Sequence, residues 1–221
     1  MLENFKEQVL SIAKRAQRDG LCKHKSGNFS IRDTETGYVV ITPTGVDREK
    51  LSVDDICVVD LEANVIENLT GLKPTSETLM HLNIYKTRTD VNAIAHTHSM
   101  YATSFAVLNK PIPAIVYECA NMGLGAGRIP VAPFGRPGTT ALADSIVDAC
   151  TEANCFLLEK HGAVSIDARN LYEAYLNASY IEELAQLYYI ALTANANVEP
   201  EGFPCEELQS WEYPKEIKFN K

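Results

Sequence analysis

The chain has 221 residues, 46% of them hydrophobic and 22% charged, which is typical of a globular protein and long enough for a sizeable core. Its formal net charge of −9 argues against nucleic acid or an anionic membrane surface as a partner. Because no apolar run approaches ~18 residues and the first residues lack a signal pattern, we expect no membrane segment and a cytoplasmic location. The length predicts a single domain over residues 1–221.

The first third of the chain predicts one helix followed by two hairpins. Apolar side chains spaced three and four residues apart indicate an amphipathic helix over residues 2–19. A polar turn at 25–30 leads into a strand, and the chain returns through an apolar strand at 38–42. Residues 56–60 and 65–66 predict a second hairpin. Tight turns between successive strands favour an antiparallel sheet.

The rest of the chain alternates helices with short extended segments. A helix begins at Pro74-Thr75-Ser76-Glu77, where a hydroxyl residue is the predicted N-cap and the acid lies in the first turn. The later predicted elements are a strand at 91–98, a helix at 100–108, an extended segment at 111–117, a strand at 129–133, a helix at 138–151, strands at 155–159 and 163–166, a helix at 168–194 and an irregular tail. Together they predict a mixed α/β fold with three layers, α-β-α, around a largely antiparallel sheet.

Three histidines are the strongest candidates for a metal site. Successive side chains of an extended run alternate faces, so His96 and His98 point to the same side. Two neutral imidazoles placed in this way can chelate a divalent ion such as zinc, and two core histidines without a ligand are the alternative interpretation. His161 follows another apolar strand and is the natural third ligand. The six cysteines form no Cys-x-x-Cys pair, so we expect free thiols rather than ligands.

Glu77 is the candidate acid beside this metal. The N-terminus of a helix stabilises an ionised carboxylate, although many acids at such positions serve only the helix end. His81 lies one turn further along the same face of the helix. We disfavour His81 as a metal ligand because it is too far along the helix from Glu77.

Three segments combine small or hydroxyl residues with backbone N–H donors, and together they could bind one dianion without an arginine. They are Ser26-Gly27-Asn28, Thr44-Gly45, and Thr75-Ser76 at the helix N-terminus. Each segment alone is an ordinary turn or cap. Only their combination suggests a phosphate site.

Five short motifs occur together and in order along the chain. They are Gly27-Asn28-x-Ser30, Thr42-Pro43-Thr44-Gly45, Pro74-Thr75-Ser76-Glu77, His96-x-His98 and Lys160-His161-Gly162. This set resembles the class II aldolase/adducin family over nearly the whole chain. The resemblance implies the three-layer fold and a zinc-dependent lyase. Such an aldolase would reversibly cleave L-fuculose 1-phosphate, or a close ketose 1-phosphate, to dihydroxyacetone phosphate and L-lactaldehyde.

The resemblance also implies roles for individual residues. The ligands of one zinc ion per subunit would be His96, His98, His161 and Glu77. Glu77 would in addition be the acid/base of the reaction, and Tyr117 would reach the site from a neighbouring subunit as a second proton carrier. The family forms homotetramers with active sites at subunit interfaces, and its tail tyrosine corresponds to Tyr213. The residues implied to hold the substrate phosphate are Gly27, Asn28, Thr44, Gly45, Thr75 and Ser76.

Related activities on the same zinc site stay open as alternatives. An L-ribulose-5-phosphate 4-epimerase would use the same bond cleavage, but by family pattern the epimerases carry Asp at the position of Glu77, which favours the aldolase. A dehydratase acting on a methylthioribulose phosphate is a further alternative. A non-enzymatic adducin-type domain lacks the metal ligands, whereas this chain has all three histidines.

Overall fold

One continuous sheet contains most of the strands. The computed structural model describes residues 1–210, and its strands are β1 (Asn28–Arg32), β2 (Val39–Ile41), β3 (Cys57–Val59), β4 (Val65–Glu67), β5 (Ala93–Thr97), β6 (Ile112–Pro113), β7 (Arg128–Ile129), β8 (Val131–Ala132), β9 (Cys155–Leu158) and β10 (Gly162–Asp167). Eight of them form one sheet in the order β4-β3-β2-β1-β5-β10-β9-β8, and β6 pairs with β7. All neighbours are antiparallel except β8 and β9, so the prediction of a largely antiparallel sheet is confirmed.

Helices cover both faces of this sheet. They are α1 (Glu3–Arg18), α2 (Thr78–Thr87), α3 (Met100–Val107), α4 (Thr140–Ser145), α5 (Val147–Glu152), α6 (Leu171–Ala194) and α7 (Cys205–Gln209). Side chains of α2, α4 and α5 share one core with the sheet, and those of α1, α3 and α6 form the cores on its other face. The predicted α-β-α layering is therefore confirmed. Within residues 1–210, no helix is both long and apolar enough to cross a bilayer.

The register of the central strands decides what lies beside α2. Ile94 on β5 belongs to the core beneath α2, and His96 follows two residues later on the same face. Asn28 pairs with His96 across β1 and β5, and Val164 pairs with His96 across β5 and β10. The middle of the sheet therefore carries polar side chains toward the N-terminus of α2.

The helix predicted at 138–151 is two helices rather than one. The break lies at Ile146, which is both the C-cap of α4 and the N-cap of α5. Just before it, the Ser145 hydroxyl donates a hydrogen bond to the carbonyl of Leu142 at 3.0 Å. A serine that bonds back to the preceding turn competes with the backbone ladder and bends a helix.

The prolines also shorten the segment predicted as extended at 111–117. Only Ile112–Pro113 pairs as a strand, because a proline cannot donate to a ladder. A 3-10 helix then begins at Tyr117, where the sequence predicted extended chain. In the tail, α7 replaces part of the predicted irregular segment and buries Leu208 against the core beside α3 and α6.

All six cysteines are free thiols, as predicted. Five are buried and Cys205 is partly exposed. Burial raises the pKa of Cys22 to about 11 and that of Cys57 to about 11. These thiols are therefore protonated at neutral pH and are poor nucleophiles and ligands.

Candidate metal centre

Four side chains from three separate parts of the fold converge at one end of the central strands. His96 lies in β5 and His98 just beyond it, His161 lies in the turn between β9 and β10, and Glu77 directly precedes α2. One potential ligand atom from each lies within 4.8 Å of all the others. The predicted histidine set and Glu77 are thus brought together, and no other such group occurs within residues 1–210.

The three imidazoles and the carboxylate face one another closely. The Nε2 atoms of His96 and His98 are 2.9 Å apart. Glu77 Oε2 is 3.1 Å from His96 Nε2, and Glu77 Oε1 is 3.0 Å from His161 Nε2. Each pair of imidazole rings has its centroids 4.8 Å apart. This near-threefold arrangement surrounds one point with nitrogen and oxygen lone pairs.

The hydrogen bonding of His96 fixes which of its nitrogens faces that point. His96 Nδ1 lies 2.9 Å from the carbonyl oxygen of Ala163, which can only accept a hydrogen bond. The ring proton therefore sits on Nδ1, and Nε2 presents its lone pair to the other three groups. Glu77 Oε1 is buried without a hydrogen-bond partner. Three imidazoles with an unsatisfied buried carboxylate oxygen fit a divalent ion of the zinc type.

The electrostatics of the group also suit a cation. Burial, with the nearby charges of His96 and His161, lowers the pKa of His98 to about 3, so this imidazole is neutral at pH 7. Burial acts to raise the pKa of Glu77, but the positive charge that His96 and His161 carry when protonated outweighs it and holds that pKa well below its usual range. The site thus combines a neutral ligand with an ionised carboxylate.

Glu77 differs in one respect from its predicted position in the helix. It is itself the N-cap residue of α2, and its side chain makes no capping hydrogen bond. Its backbone carbonyl accepts from the N–H of Met80 at 3.0 Å, while its backbone N–H lies 3.4 Å from the hydroxyl of Thr75. The carboxylate is therefore left free to point at the histidines instead of closing the helix end.

A cavity of about 350 Å³ opens onto the metal group. All six residues predicted to hold a phosphate line it, together with Glu77, His98 and His161. Lys25 and Pro137 also line this cavity, and sequence reasoning missed both. Lys25 directly precedes the predicted Ser26-Gly27-Asn28 segment, so its position next to that turn was the available signal. The predicted phosphate residues are Gly27, Asn28, Thr44, Gly45, Thr75 and Ser76.

Arg48 supports the first of these segments from behind. Its buried guanidinium donates to the carbonyl oxygens of Ser26, at 2.9 Å, and Gly27. Burial lowers the pKa of Arg48 below its ordinary value. Sequence reasoning missed this residue because it lies in a short 3-10 turn with no local motif. Its contribution depends on a contact formed only in the folded chain.

Two glycines allow the backbone to pass close to the histidines. Gly27 has φ +75°, and a Cβ there would lie 2.7 Å from the carbonyl oxygen of His96. A Cβ on Gly162 would lie 2.4 Å from the backbone carbonyl oxygen of Thr97, and also 3.1 Å from His98 Cδ2 and 3.3 Å from His96 Cε1. Glycine is therefore required at both positions for steric reasons.

His81 lies outside the group of four potential ligands. It is fully buried, and its ring nitrogens contact the side chains of Ser30 and Asn28. Asn28 in turn donates from Nδ2 to Glu77 Oε2 at 2.6 Å. The expectation that His81 is not a ligand agrees with this placement.

Tyr117 is not part of this cluster in its own chain. Tyr117 begins the 3-10 helix Tyr117–Asn121, is 46% exposed and does not line the cavity of its own chain. Tyr213 lies outside the described residues.

Comparison with known proteins agrees with the sequence motifs. The model of the family described as "Class II Aldolase and Adducin N-terminal domain" matches residues 7–189. A 5-deoxy-D-ribulose 1-phosphate aldolase of Bacillus thuringiensis serovar kurstaki is 34% identical over 95% of this chain and 94% of the relative. An L-fuculose phosphate aldolase of Methanococcus maripaludis is 40% identical over 74% of this chain and 84% of the relative.

Solved structures show the same fold. A structure described as L-fuculose 1-phosphate aldolase superimposes with a TM-score of 0.86 at 34% identity, covering 93% of each chain. The metal-binding group of three histidines and one glutamate is typical of the zinc site in class II aldolases. The chain belongs to the class II aldolase and adducin family, and within it is a metal-dependent aldolase, a lyase.

Proposed function

We propose that this protein is a zinc-dependent aldolase that reversibly cleaves L-fuculose 1-phosphate, or a close ketose 1-phosphate, to dihydroxyacetone phosphate and L-lactaldehyde. The observation that carries the proposal is that the metal-binding group and the segments suited to a phosphate line one cavity. A ketose 1-phosphate offers both a dianion and, a few atoms away, a carbonyl with a neighbouring hydroxyl. The substrates named for the relatives share this phosphorylated end.

The residues that would hold one zinc ion per subunit are His96, His98, His161 and Glu77. When bound, the ion supplies Lewis acidity toward the negative charge that develops on the ketose oxygen during cleavage. The described part of the chain offers no lysine at this cavity other than Lys25, which lies on the phosphate side. The charge would therefore be stabilised by the cation that the three histidines and Glu77 would hold.

The phosphate would bind where the three predicted segments face the cavity. Thr75 and Ser76 precede α2, so their hydroxyls and the Ser76 backbone N–H lie at the positive end of the helix. The Thr75 N–H itself donates to the carbonyl of Thr42 at 3.0 Å. Lys25 adds one positive charge at the rim. Asn28, between these segments and Glu77, can donate to an anion from its side-chain amide.

Glu77 would move the proton at C3 of the substrate. In cleavage, a base removes the proton of the C4 hydroxyl, the C3–C4 bond breaks, and its electron pair passes to the three-carbon fragment. Glu77 then protonates that fragment at C3 to give dihydroxyacetone phosphate, and in synthesis it removes the same proton. Its position beside the cavity and next to three imidazoles suits this exchange. The carboxylate would take the C3 proton in synthesis; in cleavage it would first take up a proton from solvent and then deliver it to C3, while the base at C4 returns its proton to solvent.

Tyr117 would assist at the C4 hydroxyl from a neighbouring subunit of a homotetramer. This part of the proposal rests on the family resemblance and on the exposure of Tyr117 in its own subunit. A tyrosine has an ordinary pKa of about 10, so positive charge at the metal must favour its ionised form.

A second substrate is favoured by one specific comparison. The Bacillus relative named for 5-deoxy-D-ribulose 1-phosphate matches almost the full length of both chains. Cleavage of that five-carbon sugar leaves a two-carbon aldehyde, acetaldehyde, in place of L-lactaldehyde. The aldehyde product therefore distinguishes the two candidates.

The deciding experiment is an assay of the zinc-loaded enzyme with a panel of sugar phosphates. The panel comprises L-fuculose 1-phosphate, L-rhamnulose 1-phosphate, 5-deoxy-D-ribulose 1-phosphate and L-ribulose 5-phosphate, with dihydroxyacetone phosphate and the aldehyde both quantified. We expect the highest kcat/KM with L-fuculose 1-phosphate. Highest activity with 5-deoxy-D-ribulose 1-phosphate would shift the assignment to that substrate. Epimerisation or water loss without dihydroxyacetone phosphate would overturn the proposal.

A further inference from the structure

A row of buried polar side chains leads from α2 to Glu77 beneath the cavity. The row consists of Tyr85, Ser30, His81 and Asn28, of which Asn28 is the most exposed at 4%. The Tyr85 hydroxyl is 2.8 Å from Ser30 Oγ, which is 2.7 Å from His81 Nδ1. His81 Nε2 is 2.5 Å from Asn28 Oδ1, and Asn28 Nδ2 is 2.6 Å from Glu77 Oε2. Each polar atom in the row has a partner.

The carboxylate of Glu77 sets the direction of every hydrogen bond in this row. An ionised carboxylate only accepts, so Asn28 must turn its NH2 group toward Glu77 and its carbonyl toward His81. The carbonyl accepts from Nε2–H of His81, which leaves Nδ1 of the neutral ring as an acceptor. The Ser30 hydroxyl donates to that nitrogen, and the Tyr85 hydroxyl donates to Ser30. All the donors therefore point toward the metal group.

We propose that His81 is a positioning residue that fixes the orientation of the Asn28 amide. By donating from Nε2 to Asn28 Oδ1, it holds the NH2 group of Asn28 toward the cavity. Without that donor only the Glu77 carboxylate opposes a half-turn of the amide that would present its carbonyl oxygen to an incoming anion. The role rests on the proposed function, because the anion that enters the cavity there is the substrate phosphate.

The place of Asn28 makes this orientation matter for binding. Asn28 lines the cavity between Gly27 and Glu77, so one NH2 group lies close to both the metal group and the phosphate segments. A hydrogen bond to a charged acceptor is stronger than one between neutral groups, whereas a carbonyl oxygen turned toward an anion repels it. The fixed amide therefore favours negative ligands before any ligand arrives.

The primary test measures the affinity of zinc-loaded protein for inorganic phosphate by isothermal titration calorimetry. His81→Leu removes both ring nitrogens at similar volume, and we expect the dissociation constant to rise about tenfold or more. His81→Gln retains one donor and one acceptor, and we expect it to restore most of the affinity. Tyr85→Phe, which leaves Ser30 and His81 in place, should weaken binding less than His81→Leu.

A double-mutant cycle shows whether His81 acts through Asn28. In the background of Asn28→Ala, His81→Leu should cause no further loss of phosphate affinity, because the group it orients is gone. Thermal unfolding and zinc content of all four proteins serve as controls. An additional loss in that background, or wild-type affinity in His81→Leu alone, would overturn the inference. Absence of measurable phosphate binding by the wild type would overturn it as well.

A spectroscopic measurement on the wild type needs no variant to fold stably. Nitrogen-15 NMR of metal-free protein with labelled histidines reports which ring nitrogen of His81 carries the proton, with His81→Gln used only to assign the signal. We expect the Nε2–H form, and a ring protonated at Nδ1 would refute the proposed direction. If the protein cleaves no sugar phosphate while these phosphate and NMR results hold, only the proposed function fails.

Discussion

Glu77 is assigned two roles, one as a metal ligand and one as a proton carrier. It must be anionic to join three imidazoles around a cation, and in the proposed mechanism it must also accept and release a proton beside that cation. The structure meets the first demand by burying the side chain among His96 and His161, whose influence lowers its pKa. The second demand requires the carboxylate to reach the substrate, and Glu77 lines the cavity where the substrate would bind.

Replacing the carboxylate by an amide separates these two demands. Glu77→Gln keeps the side-chain size and an oxygen that Asn28 can still reach, but it cannot exchange a proton at C3. We expect kcat to fall by about 10²–10⁴-fold with little change in KM, measured by steady-state kinetics. Glu62→Gln, an exposed acid far from the cavity, is the matched control. Full activity in Glu77→Gln would remove this residue from proton transfer.

Metal content gives an independent measurement at the same scale. Zinc-loaded wild-type protein should contain about one zinc ion per chain by atomic emission after dialysis. His161→Ala removes one of the three imidazoles and should lower the retained zinc severalfold or more. His24→Asn is the matched control, because His24 is exposed and asparagine tolerates its positive φ. Equal zinc retention in all three proteins would exclude His161 as a ligand.

At the level of elements, the loop that ends at Gly27, just before β1, contacts both the predicted phosphate segments and the metal group. Arg48 donates hydrogen bonds to the carbonyl oxygens of Ser26 and Gly27 in this loop. Gly27 lies against the carbonyl of His96, and Asn28 is the first residue of β1. The loop therefore connects the edge of the cavity to the centre of the sheet. Its rigidity is a property of long-range contacts rather than of its own sequence.

A pair of glycines with the same backbone conformation isolates the steric part of this effect. Gly27 and Gly37 both have φ +75°, but a Cβ on Gly37 meets nothing within 4 Å, whereas one on Gly27 meets the carbonyl of His96. We expect Gly37→Ala to lower the free energy of unfolding by about 1–2 kcal/mol and Gly27→Ala by about 1–3 kcal/mol more. Urea unfolding at equilibrium measures both. An equal decrease in the free energy of unfolding for both variants would show that the added Cβ at Gly27 causes no steric destabilisation.

Patterns local in sequence predicted most of the elements and the metal group. The two-residue period of an extended strand was enough to place His96 and His98 together, and His161 followed from its position after an apolar strand. The structure differed where the decisive contact is non-local. Arg48 and the buried row from Tyr85 to Asn28 depend on partners about 20 to 50 residues away in the sequence. No periodicity in the sequence carries that information.

The helix break at Ile146 and the helix in the tail show a different limit. A single serine hydroxyl bonding back to Leu142 interrupts a pattern that otherwise reads as one helix. The short helix Cys205–Gln209 is too short to form on its own and is stabilised by burying Leu208. In both cases tertiary packing and side-chain hydrogen bonds outweigh local propensity.

For the whole molecule, the proposed assembly predicts that active sites are shared between subunits. If Glu77 and Tyr117 of each site come from different chains, mixing inactive Glu77→Gln and Tyr117→Phe subunits should recover activity. Random mixing in a closed ring pairs two intact residues at about a quarter of the sites. The measurement is activity after subunit exchange, which mass spectrometry of the mixed oligomer verifies. No recovery in verified mixed tetramers would place both residues in one chain or remove Tyr117 from the reaction.

The reaction rates of the six free thiols can be used to measure local opening of the fold. Five cysteines are spread over the cores on both faces of the sheet, and Cys205 lies in the tail helix with partial exposure. A thiol reagent under native conditions should therefore modify Cys205 first, while each buried site reacts only when its surroundings open. Because Cys22 packs beneath Gly27, its labelling rate would follow the opening of the loop that borders the substrate cavity.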